Sequence, residues 1–184
     1  MLLGAAAAPH VYALRVGAAL LAFFLAVGIG AHALDELHDR PLGTGLSRPA
    51  LAIGGGLSLA AAAAIGVAGV ITVSATLIPF VVFGVFICVA YNLELFGGRL
   101  HSDAWFAIAW GAFPAWTGYW VNALGLTTAG VAVAVACGGL SVAQRRLSTP
   151  ARLLRRRTVA LDGALRALSI AVTLLAIGLL VARL

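Results

Sequence analysis

Long apolar runs broken by short polar stretches dominate the chain. A membrane-crossing helix needs about 20 largely apolar residues, and the runs divide naturally at that length. Val11 to Leu34 supplies a first span. Residues 49–91 form one apolar stretch, long enough for two helices, Pro49 to Val67 and Ala68 to Tyr91, joined by a tight turn. Ala104 to Trp120 and Leu124 to Val142 give a fourth and a fifth, separated at Asn122. Val159 to Val181 gives a sixth, with Asp162 near its start, where a helix N-terminus favours a negative charge. The pattern therefore predicts an all-α, polytopic transmembrane bundle of about six helices, forming one integral membrane domain over residues 1–184. The small residues of Gly54-Gly-Gly56, Ala60 to Ala64 and Gly84 suit close helix packing in lipid. Pro79 and Pro114 fall inside expected spans and would kink them, freeing carbonyls that need other partners.

Composition agrees. The chain is 62% hydrophobic and 10% charged, with mean hydropathy +1.07, against about 25% charge in a soluble domain. A pI near 10.7 in a soluble protein would suggest nucleic acid. Here the arginines sit between apolar runs, which points to lipid orientation and to no nucleic-acid partner. Six spans place three loops on one side, 35–48, 92–103 and 143–158, and these hold nine of the twelve arginines. The positive-inside rule assigns those loops to the cytoplasm, with both termini outside; the expected location is a bacterial or archaeal cell membrane. The first 33 residues could instead be a secretory signal peptide, with Ala31-His-Ala33 as a cleavage-like site. No positive charge precedes Arg15, however, and cleavage there would reverse the arginine bias. Cys88 and Cys137 lie within apolar runs, at no spacing that suggests a metal site or a disulfide, and read as small packing residues.

Only six carboxylates are present, and three of them, Asp35, Glu36 and Asp39, crowd the end of the first apolar run. If the helix continues to Asp39, then His32, Asp35, Glu36 and Asp39 share a face, since residues three and four apart are helical neighbours. Two or three oxygen ligands with a histidine beside them could hold a hard divalent cation. Mg²⁺ is usually held by one or two carboxylates, with phosphates completing its shell. The same residues also read as a solvated helix end, with Asp35 or Asp39 paired to Arg40 or Arg48.

The stretch resembles the first aspartate motif of UbiA-type intramembrane prenyltransferases, Asn-Asp-x-x-Asp-x-x-x-Asp followed by Arg-Pro. Asp35-x-x-x-Asp39 fills the last two aspartate positions, and Arg48-Pro49 falls at the expected distance. Ala31-His32 stands where the family has Asn-Asp. A second similar island is Tyr91-Asn-Leu-Glu94-Leu-Phe-Gly-Gly-Arg99, followed by the aromatic stretch Trp110 to Tyr119. There Glu94 or Leu95 replaces the family's lysine. The resemblance spans roughly residues 15 to 145 and implies a prenyltransferase that moves a polyprenyl group from its diphosphate to a lipid or aromatic acceptor. It further implies Asp35 and Asp39 as catalytic and metal-binding residues, with His32 and Glu36 as further ligands for Mg²⁺. Arg48, Arg99, Tyr91 and Arg40 would contact the diphosphate.

The family's second aspartate motif belongs some 50 to 60 residues after Tyr91. Gln144 to Arg157 stands there without a carboxylate, and the family usually has about nine helices. The alternative is thus a non-catalytic membrane protein that binds an isoprenoid diphosphate or anionic lipid. A third reading, an ion-passing or structural subunit, is disfavoured because no charged residue lies deep within a span after Asp35. The arginines of residues 143–158 read either as an anchor to anionic headgroups or as a phosphate clamp. Trp105, Trp110, Trp116, Tyr119 and Trp120 read as interfacial belt and packing, with cupping of an isoprenoid as a secondary role. His10 and His101 read as solvated.

Overall fold

The structure is a computed structural model that describes residues 1–41, 43–153 and 159–183. All its regular elements among these residues are helical: α1 (Leu2–Ala7), α2 (Ala13–His38), α3 (Arg48–Thr72), α4 (Ala75–Asn92), α5 (residues 103–123), α6 (Thr128–Leu153) and α7 (Val159–Val181). They fall into two compact units, Tyr12–Ser102 and Met1–Val11 with Asp103–Leu184. Among the described residues, four helices are long and apolar enough to cross a membrane: α2, α3, α4 and Asp162–Val181 of α7. That fits an integral membrane protein. The other two expected spans, α5 and α6, are helical but are not among the four. Trp, Tyr, Pro and Gly dilute the apolar content of α5, and Gln144, Arg145 and Arg146 that of α6.

In the unit Tyr12–Ser102, α3 carries the stripe that organises the packing. Its buried residues Leu51, Gly55, Ser58 and Ala62 recur at helical spacing. Of the three consecutive glycines, only Gly55 meets a neighbour among the described residues; a Cβ there would lie 3.0 Å from Cβ of Ala33 on α2. Farther along, a Cβ on Gly66 would lie 2.6 Å from Val81 of α4. Small residues thus let α3 approach two helices in turn. The break between α3 and α4 comes at Val73 and Ser74, later than the apolar pattern predicts. Ser74 accepts from the Thr76 amide, and Pro79 lies in the first turn of the α-helical part, Ile78–Asn92. A capping serine followed by an early proline is a helix start. Pro79 therefore begins a helix instead of kinking one.

α2 is α-helical over Ala13–Phe23, π-helical over Phe24–Ala31 and α-helical again over His32–His38. It runs four residues past the expected end at Leu34.

In the second unit, α5 is α-helical at Asp103–Phe106, π-helical over Ala107–Ala112 and α-helical from Phe113 to Ala123. Pro114, which cannot donate a backbone hydrogen bond, directly follows the wide turn. The helix ends at Leu124, in the left-handed region at φ 52°. Asn122 is buried within the helix and donates to the Gly118 carbonyl at 2.8 Å, so it does not separate the two elements. Tyr119 is buried, and its hydroxyl lies 2.6 Å from that of Thr127, ahead of α6. The pattern gave no sign of α1, which packs on α5 so closely that a Cβ on Gly4 would lie 1.8 Å from the Ala115 carbonyl oxygen.

The expected loop 143–158 is corrected for residues 143–153, which continue α6 as helix. Arg155, Arg156 and Arg157 lie outside the described residues.

Candidate functional site

The polar end of the unit Tyr12–Ser102 is built from two helix C-termini and the loops that follow them. The last turns of α2 carry His32, Asp35, Glu36 and His38, and Asp39 caps the helix with its amide on the Asp35 carbonyl at 3.0 Å. α4 ends at Asn92, beside the end of α2, and the loop 93–102 follows. A helix C-terminus carries roughly half a negative charge. Asp35, Asp39 and Glu94 therefore add carboxylates where the backbone is already negative.

Loop 93–102 is tightly wound. Glu94, Phe96, Gly97 and Gly98 all have positive φ, at 49°, 60°, 68° and 73°. Glycine adopts that region freely, whereas Glu94 and Phe96 do so at a steric cost. Several contacts hold them there. The Leu95 amide donates to the Ala90 carbonyl and the Gly98 amide to the Glu94 carbonyl. His101 folds back so that its ring stacks on Tyr91 at 4.4 Å between centroids, with Nδ1 3.1 Å from the Tyr91 carbonyl oxygen. The same nitrogen is 3.6 Å from Glu94 Oε1. His101 is thus half-buried against the protein, and the solvated reading is corrected.

This winding brings Glu94 to the end of α2. Ligand atoms of His38, Asp39 and Glu94 all lie within 4.8 Å of one another. His38 Nε2 is 3.8 Å from Asp39 Oδ1. Asp35 is half-buried and within electrostatic reach of His101, His32, Glu94 and His38. Of the four residues expected to hold metal, Asp39 belongs to the converging group. His32 is exposed on the last turns of α2.

Glu36 has a different task. It is 1% exposed, and its Oε1 accepts from the Thr44 amide at 2.6 Å and the Thr44 hydroxyl at 2.8 Å. Its carboxylate clasps the loop between α2 and α3. Arg40, at φ 52°, reaches over that loop, its guanidinium 3.4 Å from the Thr44 carbonyl oxygen and 3.5 Å from that of Leu46. Arg48 is exposed in the first turn of α3, and Arg99 is exposed on loop 93–102. Tyr91 is 4% exposed, its ring covered by His101.

A Mg²⁺ ion about 2.1 Å from each ligand oxygen spans about 4.2 Å between opposite ligands. Asp39 and Glu94, with ligand oxygens within 4.8 Å of each other, are spaced on that scale, with positions left for water and phosphate. His38 suits a softer ion such as Mn²⁺ better. The pattern of the chain pointed to Asp39 but assigned no role to His38 and treated Glu94 only as a replacement for lysine. Gly97-Gly98, which reverses the chain after Tyr91, was the available signal that residues 94–101 return to the helix ends.

The acid of the second unit is arranged differently. Asp103 opens α5 and accepts from Arg145 Nε, while the Arg145 guanidinium lies 4.7 Å over the Phe106 ring. Compared with protein-family models, with curated proteins and with solved structures, the chain matches none.

Proposed function

We propose that this chain is a UbiA-like membrane protein that binds an isoprenoid diphosphate through a divalent cation and transfers the prenyl group to a lipid or aromatic acceptor. One observation carries the reading. His38 and Asp39 of the first island and Glu94 of the second meet at two helix C-termini, and among the described residues the basic side chains within 4 Å of Asp39 and Glu94 are histidines, not arginines. Carboxylates in that setting favour an added cation.

Asp39 and Glu94 would hold the ion, with Asp35 adding to the negative field beside it. When bound, Mg²⁺ would neutralise charge on the departing diphosphate. Arg48 and Arg99, both exposed near this end, would take phosphate oxygens through the guanidinium fork. Arg40 has already placed its guanidinium over its own loop, so it would join only by releasing the Thr44 and Leu46 carbonyls. Glu36 would hold the loop that leads into α3 and Arg48. Electrostatic stabilisation of the leaving group is the largest contribution such residues make to a reaction of this kind.

The alternative, cation-dependent binding without turnover, draws on a separate observation. The stretch where a second aspartate motif would stand lacks carboxylates, and its Arg145 is committed to Asp103. The two readings separate in one experiment on detergent-purified protein, with a labelled polyprenyl diphosphate and Mg²⁺ or Mn²⁺. Binding that is lost in Asp39→Asn/Glu94→Gln, followed by prenyl release to an added acceptor, is the expected outcome. Metal-dependent binding without release selects the alternative. Binding indifferent to both metal and mutation overturns both.

A further inference from the structure

The acidic cluster does not by itself account for the π-helical segment of α2, Phe24–Ala31. Turns closed by i→i+5 hydrogen bonds are wider than α turns, and such segments recur at functional sites. Each backbone carbonyl also has a second lone pair, which can take a donor from a neighbouring helix. In a membrane-spanning helix, displaced backbone groups must be satisfied by neighbouring side chains.

Two neighbours do so here, one from each of the other helices of the unit. Ser58 on the buried stripe of α3 donates its hydroxyl to the Leu25 carbonyl at 2.7 Å. Cys88 of α4 directs its thiol at the Ala26 carbonyl at 3.4 Å. The carbonyls are consecutive, both lie in the π segment, and both donors are buried. Cys88 is therefore more than a small packing residue. Its own carbonyl accepts from Asn92 Nδ2 at 2.6 Å, and Asn92 is the last residue of α4 before the loop that carries Glu94.

The consequence for the polar end is geometric. Each residue of an α-helix turns by about 100°. A π segment holds one residue more per turn than an α segment, so its gain or loss swings everything beyond it by up to about that angle. What lies beyond is His32–His38 and Asp39. α3 packs directly on α2 just before this turn: a Cβ on Gly30 would lie 3.7 Å from the Gly55 carbonyl oxygen.

We propose that Ser58 and Cys88 are positioning residues that lock α2 in its π-helical register, and that this register sets His38 and Asp39 against Glu94. The inference rests on the reading of that end as a cation site for its purpose, but not for its geometry.

Two measurements keep the claims apart. The first is the rate of disulfide formation between Asp39→Cys and Glu94→Cys in detergent, with Cys137→Ala throughout to prevent mispairing; it reports proximity with no metal present. Against a background of Ser58 with Cys88→Ser, which keeps a donor at both positions, Ser58→Ala or Cys88→Ala should each slow the cross-link roughly fivefold. The pair should slow it at least about tenfold. Equal rates in all backgrounds, with helicity and elution volume unchanged, overturn the proposal. Should the double variant fail to fold, the single variants and the serine rescue at Cys88 still decide it.

The second measurement is Mn²⁺ affinity by electron paramagnetic resonance in chains that keep Asp39 and Glu94. Weaker binding in Ser58→Ala and Cys88→Ala, restored by Cys88→Ser, is expected. Mn²⁺ binding that is unchanged by loss of both donors overturns the positioning role while the cation reading stands. No Mn²⁺ binding even by the wild type, together with a donor-dependent cross-link, overturns the cation reading while the register lock stands.

Discussion

The two units each contain a helix with a π-helical interior and an acid near one end, and they treat that acid in opposite ways. In α5 the acid is at the start. Asp103 sits in the first turn, where the helix favours negative charge, and Arg145 neutralises it. In α2 the acids are at the finish. Asp35 lies in the last α-helical segment and Asp39 caps it, so the helix opposes both, and the next helix end adds Glu94. An acid stabilised by its own helix and by an arginine explains itself as structure. Acids gathered at the unfavourable end, with histidines and no arginine within 4 Å among the described residues, leave a deficit of positive charge that a cation would remove.

Glu36 is the exception inside the acidic group and provides the largest test. Its buried carboxylate is bonded to the Thr44 amide and hydroxyl, so it should behave as structure. Glu36→Ala leaves a buried amide without its acceptor and should destabilise the unit by about 2–4 kcal/mol. Urea unfolding in detergent measures that loss. Proteinase K cleavage at the loop between α2 and α3 should accelerate in parallel. If Glu36→Ala were as stable as the wild type while cation binding vanished, Glu36 would belong with Asp39 instead.

The next effect separates the two acids by ligand. Asp39→Asn with Glu94→Gln should weaken Mn²⁺ binding by at least about tenfold, since the ion loses both anionic ligands. Asp103→Asn should leave that affinity unchanged. A parallel loss in Asp103→Asn would mean that bulk negative charge, and not the convergence of Asp39 with Glu94, attracts the ion.

Much of this contrast was legible in the chain, but unevenly. Apolar runs located α2, α3, α4 and α7 because a span must be uniformly apolar whatever it packs against. The break at Ser74 was missed because an apolar run is silent about turns; the cue was the cap-and-proline pair Ser74 and Pro79. The π segments had no signature, since Phe24–Ala31 is as apolar as an α-helix would be. Their evidence is tertiary: Ser58 and Cys88, one to three turns from the polar ends of their own helices, donate to carbonyls of another. Asp39 was legible because three acids in five residues are conspicuous in a chain with so few. Glu94 was not, because it registered only as a replacement for lysine, and a lone glutamate after a span gives no sign that a left-handed loop folds it back. Asp103 and Arg145 stand 42 positions apart, and no local pattern pairs them.

The smallest effect is the sharpest, because its sign differs between the regions. Asp39 and Asp103 are both largely exposed, at 73% and 68% of the side chain, so each charge contributes only a few tenths of a kcal/mol to stability. Asp39→Asn removes a charge that the end of α2 opposes and should raise the melting temperature slightly in the absence of divalent ions. Asp103→Asn removes a charge that α5 and Arg145 favour and should lower it by a similar amount. High salt should shrink both differences, since exposed charges are screened. Adding Mn²⁺ should then reverse the first sign, because the wild type gains binding energy that the variant lacks, and should leave the second untouched. Two shifts of the same sign without metal would show that the direction of the helix does not govern these acids, and the contrast between the two regions would lose its physical basis.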